Sequence, residues 1–258
     1  MSKTVSRVPS VAVVLRQQLR LIDRARAFPV MVAILAGLSI LSLGLDLMDL
    51  PWGWLPLPGF LIGSIAWAPL VWRGQGLLQR QYHRTLPVNH LQHDLLKIAA
   101  GAIWLCAALA IVLLPILGAA ALREPGFLTG PSPLVWLAFF TGPLIVYLLV
   151  SCVPLLTNRP LEWMLGITAG MVGLYMLAEQ YRVEPIQALL AGLFGGGLGL
   201  GQALGGAYRD QPWEAYVGLE STLIEPSDMA SLMVTGVWLV VAFAAVCTAS
   251  RVGNKMSA

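Results

Sequence analysis

All three histidines of the chain fall within one stretch, WRGQGLLQRQYHRTLPVNHLQHDLLK over 72–97. His90 and His93 are three residues apart, neighbours on one helix face, with His83 and Asp94 close in sequence. Imidazole and carboxylate together suit a transition metal. A zinc site needs three or four such ligands in fixed geometry with an outer shell, and a solvated helix face is the commoner reason for such residues. The cysteines Cys106, Cys152 and Cys247 lie far apart in apolar segments without CxxC-like spacing, so small buried hydrophobes are expected rather than ligands or redox pairs.

Nucleotide chemistry finds no motif. None of Lys3, Lys97 and Lys255 follows a glycine, so there is no G-x-x-x-x-G-K-[ST] loop. The run GLFGGGLGLGQALGG over 192–206 fails G-x-G-x-x-G in every register. No catalytic, cofactor-binding or metal-binding residue is therefore assigned.

The elements that hold these residues are apolar. The 258 residues are 57% hydrophobic and 11% charged, with a mean hydropathy of +0.75. A soluble domain carries about 25% charged residues. The composition implies an all-α integral membrane protein. A bilayer core needs roughly 20 apolar residues per helix, and six transmembrane helices are expected over 28–48, 57–72, 98–122, 134–157, 161–178 and 229–250. No Asp, Glu, Lys, Arg or His stands deep within these runs, which argues against a self-powered transporter or an intramembrane hydrolase. Net charge +3 and pI 8.9 reflect basic flanks rather than nucleic-acid binding. The long basic N-terminal segment and the lack of an A-x-A-like site argue for a retained first span rather than a signal peptide.

Lys and Arg in 1–27, in the 73–97 island, in the 158–160 turn and in the tail place those segments, and both termini, on the cytoplasmic side. Arg16, Arg20 and Arg24 form a basic stripe beside an apolar one of Val11, Val14, Leu15, Leu19 and Ile22. This pattern predicts an amphipathic interfacial helix lying on the membrane surface, capped by Ser10. The glycine-rich, then acidic and aromatic, region 183–228 is read as an external re-entrant hairpin, with a seventh span over 186–206 as the alternative.

Within the island, a short helix over 76–84 breaks at RTLP, and Thr85 and Pro87 open a second helix. Val88, Leu91, Leu95 and Ile98 give that second helix an apolar edge. LLQRQYHRTLPVNHLQHDLLKIAAG resembles the corresponding loop of ABC-2-type transporter permeases through Leu86, Pro87, Val88 and Lys97. FFTGPLIVYLLVSCVPLLTNRPLEWML is similar to the family's fourth-to-fifth helix passage. Asn89, His90 and Gln92 are less basic than their counterparts in many relatives.

The resemblance implies a single transmembrane domain over 1–258 with 73–97 as a cytoplasmic coupling helix. Tyr82, His83, Arg84, Leu86, Pro87, Asn89 and His90 would contact a separate ABC ATPase subunit, and that subunit rather than this chain would hold ATP and Mg. The function implied is the membrane-spanning subunit of an ATP-driven ABC exporter, not itself an enzyme. It would pair with a second permease copy or paralogue in the cytoplasmic (inner) membrane of a prokaryote, in contact with membrane lipid. A membrane scaffold without transport and a membrane-embedded lipid-modifying enzyme are the alternatives.

Overall fold

The computed structural model describes residues 11–24, 27–46, 56–72, 90–123, 133–157, 159–181 and 228–255. These form seven helices: α1 (Val11–Arg24), α2 (Ala27–Asp46), α3 (Pro56–Trp72), α4 (His90–Arg123), α5 (Pro133–Leu156), α6 (Pro160–Gln180) and α7 (Asp228–Lys255). At 34 residues, α4 is the axis of the bundle. It touches α1, α2, α3, α5 and α7, while α7 lies along α5 and α6 meets only the end of α5 closely.

Two hydrogen bonds set how α3 and α5 sit on α4. Trp67 of α3 donates from Nε1 to the carbonyl of Gly101 at 2.9 Å. Tyr147 of α5 donates from its hydroxyl to the carbonyl of Ile98 at 3.1 Å. Both side chains are fully buried, and the acceptors are one helical turn apart on one face of α4. A carbonyl has two lone pairs, so each can serve its own helix and a second donor. Gly101 has no side chain because the space is occupied: a Cβ there would run into the Tyr147 hydroxyl.

Around this junction Met31, Leu35, Phe60, Leu105, Leu109 and Val246 fill the core. Ser64, Ser151, Thr157 and Thr248 each donate back to the carbonyl four residues earlier, which for the buried Ser64 and Ser151 satisfies a hydroxyl where water is scarce.

This architecture overturns the six-span membrane fold and, with it, the resemblance to ABC-2-type permeases. Among the described residues only two helical stretches are long and apolar enough to cross a membrane, His90–Leu114 and Leu232–Gly253. The apolar stretches Phe28–Gly37, Phe60–Trp72 and Phe140–Leu156 do not qualify, and within the last two Phe60, Trp67, Ile145 and Tyr147 are enclosed in the bundle. The multi-span layout that a transport pathway and an inner-membrane permease topology require is absent from the described residues.

The N-terminal helix is corrected in a different way. Leu15, Leu19 and Ile22 pack into the bundle core rather than onto a bilayer surface, and Trp104 of α4 donates to the Leu19 carbonyl at 3.1 Å. Trp104 also stacks obliquely on Phe28 of α2, with centroids 4.2 Å apart. The re-entrant region 183–227 and the island residues 73–89 lie outside the described residues. Residues 90–97, expected as an island helix continuous with the third apolar segment, are the first turns of α4.

Gly101→Ala should lower stability by about 1–3 kcal/mol through overpacking against Tyr147. Gly37→Ala, where nothing lies within 4 Å, should be neutral or slightly stabilising. Thermal unfolding followed by helical circular dichroism checks both. Equal midpoints for the two variants would refute the close approach of α5 to α4.

Candidate functional site: a polar lock at the start of α4

The first two turns of α4 hold the only tightly knit polar cluster among the described residues. Gln18 interrupts the apolar face of α1 between Leu15 and Leu19 and is almost fully buried. Its side-chain amide donates to Nε2 of His93 at 3.1 Å. That bond requires the imidazole proton to sit on Nδ1, which faces the Asp94 carboxylate at 3.7 Å. The other carboxylate oxygen of Asp94 accepts from Ser250 of α7 at 2.7 Å. One turn further, the buried Lys97 places its ammonium 4.3 Å over the Trp72 ring of α3, a favourable cation–π geometry.

Segments far apart in sequence, from α1, α3, α4 and α7, therefore meet at one end of the bundle. The same end includes the close of α5: Gly253 approaches so near the Leu155 carbonyl that a Cβ would collide with it. Beyond it, exposed Arg159 pairs with Glu162 at 3.2 Å.

Ser, His and Asp together raise the question of nucleophilic catalysis. In a triad the histidine stands between serine and aspartate, taking the serine's proton. Here the aspartate stands between them. Ser250 donates to Asp94, and Nε2 of His93 turns toward Gln18. Ser250 is also only 1% exposed. The geometry fastens α1 and α7 onto α4, and it does not bring the imidazole to the serine hydroxyl.

The residues singled out in the sequence are only partly within reach. Tyr82, His83, Arg84, Leu86, Pro87 and Asn89 lie outside the described residues. His90 is the first residue of α4 and half-buried. Arg16 and Arg20 are exposed on α1, and Arg24 ends that helix. His90 and His93 do not gather a metal site: no group of three or more His, Cys, Asp or Glu suited to a metal exists among the described residues. Cys106, Cys152 and Cys247 are free thiols. Gln18 and Ser250 were missed. The available signal for Gln18 was a polar residue set within an otherwise apolar helical stripe. Ser250 had no such signal, since its partner is 156 residues away.

Ser250→Ala leaves Asp94 short of one donor, and Asp94→Ala leaves a buried hydroxyl without its acceptor, each costing about 1–3 kcal/mol. The double variant should lose less than the sum of the two, with a coupling of about 0.5–3 kcal/mol in unfolding measurements. Strict additivity would show that the lock does not bind α7 to α4.

No family model matches the chain, nor does any curated protein or solved structure, so the likeness drawn from the island gains no support and function rests on the chain's own geometry.

Proposed function

We propose that the chain is a lipid-contacting helical binding module, which acts through its surfaces rather than by making or breaking covalent bonds. The observation that carries this reading is the exposure of its apolar outer helices. In an 18-residue apolar window of Leu232–Gly253 only 17% of residues are buried, against 44% in that of His90–Leu114. The latter is the axis of a core, whereas the former leaves most of its apolar surface facing outward. None of the described side chains of α6 is buried.

Magnitudes decide what these faces meet. Leu165, Met176 and Leu177 on α6, and Met233, Val240 and Phe243 on α7, are each more than half exposed. Fully withdrawing a side chain of this size from water is worth about 1.5–3 kcal/mol. Leaving six of them half-wet forgoes on the order of 5–10 kcal/mol, comparable with the whole net stability of a domain. Water is a poor solvent for such faces.

A second protein could cover one side of a helix. On α6, however, Leu161 and Leu165 point away from Trp163 and Ile167, by the 100° step between residues, and all four are exposed. An apolar helix exposed all round suits an apolar solvent better than a single docking partner. Membrane lipid is therefore the partner proposed.

The test is expression followed by alkaline carbonate washing and density flotation. The chain should stay with the vesicles and need detergent for release. Val240→Asp, which sets a charge on the outward face of α7, should reduce the vesicle-bound fraction, because a carboxylate near the middle of such a helix costs about 2.5–3.5 kcal/mol in lipid. Recovery in the aqueous fraction without detergent, as a monomer or an oligomer, would overturn the reading and point to protein contacts on α6 and α7.

A further inference from the structure

The polar lock collects more than its own members. Because Ser250 is tied to Asp94, and Gln18 to His93, the exposed arginines next to them stand at the same end of the bundle: Arg16 and Arg20 on α1, and Arg251 on α7. None of the three forms an ion pair among the described residues. Among the described side chains the acidic groups at this end are already engaged, Asp94 by Ser250 and beside His93, and Glu162 by Arg159. The result is a rim of exposed positive charge that no described acidic side chain pairs with, beside the lock that joins α4 and α7.

The stripe is held rigidly. The opposite face of α1 is fixed to α4 by Gln18 and by the Trp104 bond to Leu19, so Arg16 and Arg20 are presented outward, one turn apart, without further ordering of the backbone. Guanidinium groups in this arrangement match phosphate oxygens in charge and in hydrogen-bond geometry. Where a charged rim borders an apolar surface, the one ligand that satisfies both is an amphiphile with an anionic head.

We infer that the rim of Arg16, Arg20 and Arg251 selects anionic phospholipid headgroups. This rests on the lipid-contacting reading and specifies its lipid class. Each basic residue at such a surface strengthens attraction to an anionic leaflet about fivefold at low salt, and the preference weakens as salt screens exposed charges.

The experiment reconstitutes the full chain in vesicles containing brominated phosphatidylglycerol or brominated phosphatidylcholine, and reads quenching of its tryptophan fluorescence. Trp163, exposed on α6, and Trp104, beside α1, report contact with either lipid. The expected result is quenching by both lipids, with the anionic one preferred several-fold. Arg16→Gln with Arg20→Gln should abolish most of that preference, whereas Arg16→Lys with Arg20→Lys should largely retain it. Both pairs replace exposed side chains, and unchanged helical circular dichroism verifies the fold. Equal quenching by the two lipids, or a preference untouched by the glutamine pair, would overturn the headgroup inference while leaving the lipid-contacting reading intact. No quenching by either lipid would overturn both.

Discussion

The bundle depends on one constraint, the acceptance of two outside donors by adjacent turns of α4. Trp67 and Tyr147 reach the carbonyls of Gly101 and Ile98 in a setting with almost no competing water. In such surroundings a hydrogen bond is electrostatically stronger than at a wet surface, and an unmade one is correspondingly costly. The pair therefore fixes the rotation of α3 and α5 about α4 more firmly than apolar contact alone, which tolerates sliding. The missing side chain at Gly101 is the condition for this arrangement, since it lets the Tyr147 ring lie against the helix backbone. With α5 placed, α7 follows along it, and Gly253 can close on the Leu155 carbonyl.

The apolar excess and the helical character of the segments were legible in the sequence; which face of each helix turns inward was not. In α2 to α7 nearly every position is apolar, so periodicity cannot separate a core helix from a lipid-facing one. Run length was used instead, and it counted the enclosed Phe60–Trp72 and Phe140–Leu156 stretches as spans. Only α1 carries a clear amphipathic pattern. That pattern says an apolar surface lies on one side, and it fits a bilayer and a neighbouring helix equally well. Leu15, Leu19 and Ile22 found α4.

The polar residues show the same division. His90, His93 and Asp94 stood out by type and spacing, and metal binding was the chemistry considered. The structure gives His93 to Gln18 and Asp94 to Ser250, partners 75 and 156 residues away. Local spacing gives a residue's neighbours on its own helix, and it carries no information about which distant helix will supply the donor. Histidine adjacent to aspartate is thus equally consistent with a ligand set, a catalytic dyad or a structural clamp until the third partner is placed.

The lock also marks a boundary of polarity. On α4 the charged residues of this end stop at Lys97, and on α7 they begin at Arg251, and the Ser250–Asp94 bond sets these two points side by side. Past that level, α4 continues from Ile98 to Leu114 and α7 from Ala249 back to Leu232, in opposite directions along the chain and without a charged residue between. Two antiparallel helices whose polar ends are aligned by a hydrogen bond set their apolar lengths side by side rather than as a scatter of hydrophobic patches. The exposed arginines sit at the polar end of these helices, where a long basic side chain can keep its stem in apolar surroundings and its head in water. The basic rim therefore follows from two adjacent bonds on α4, His93 with Gln18 placing Arg16 and Arg20 of α1 and Asp94 with Ser250 placing Arg251 of α7.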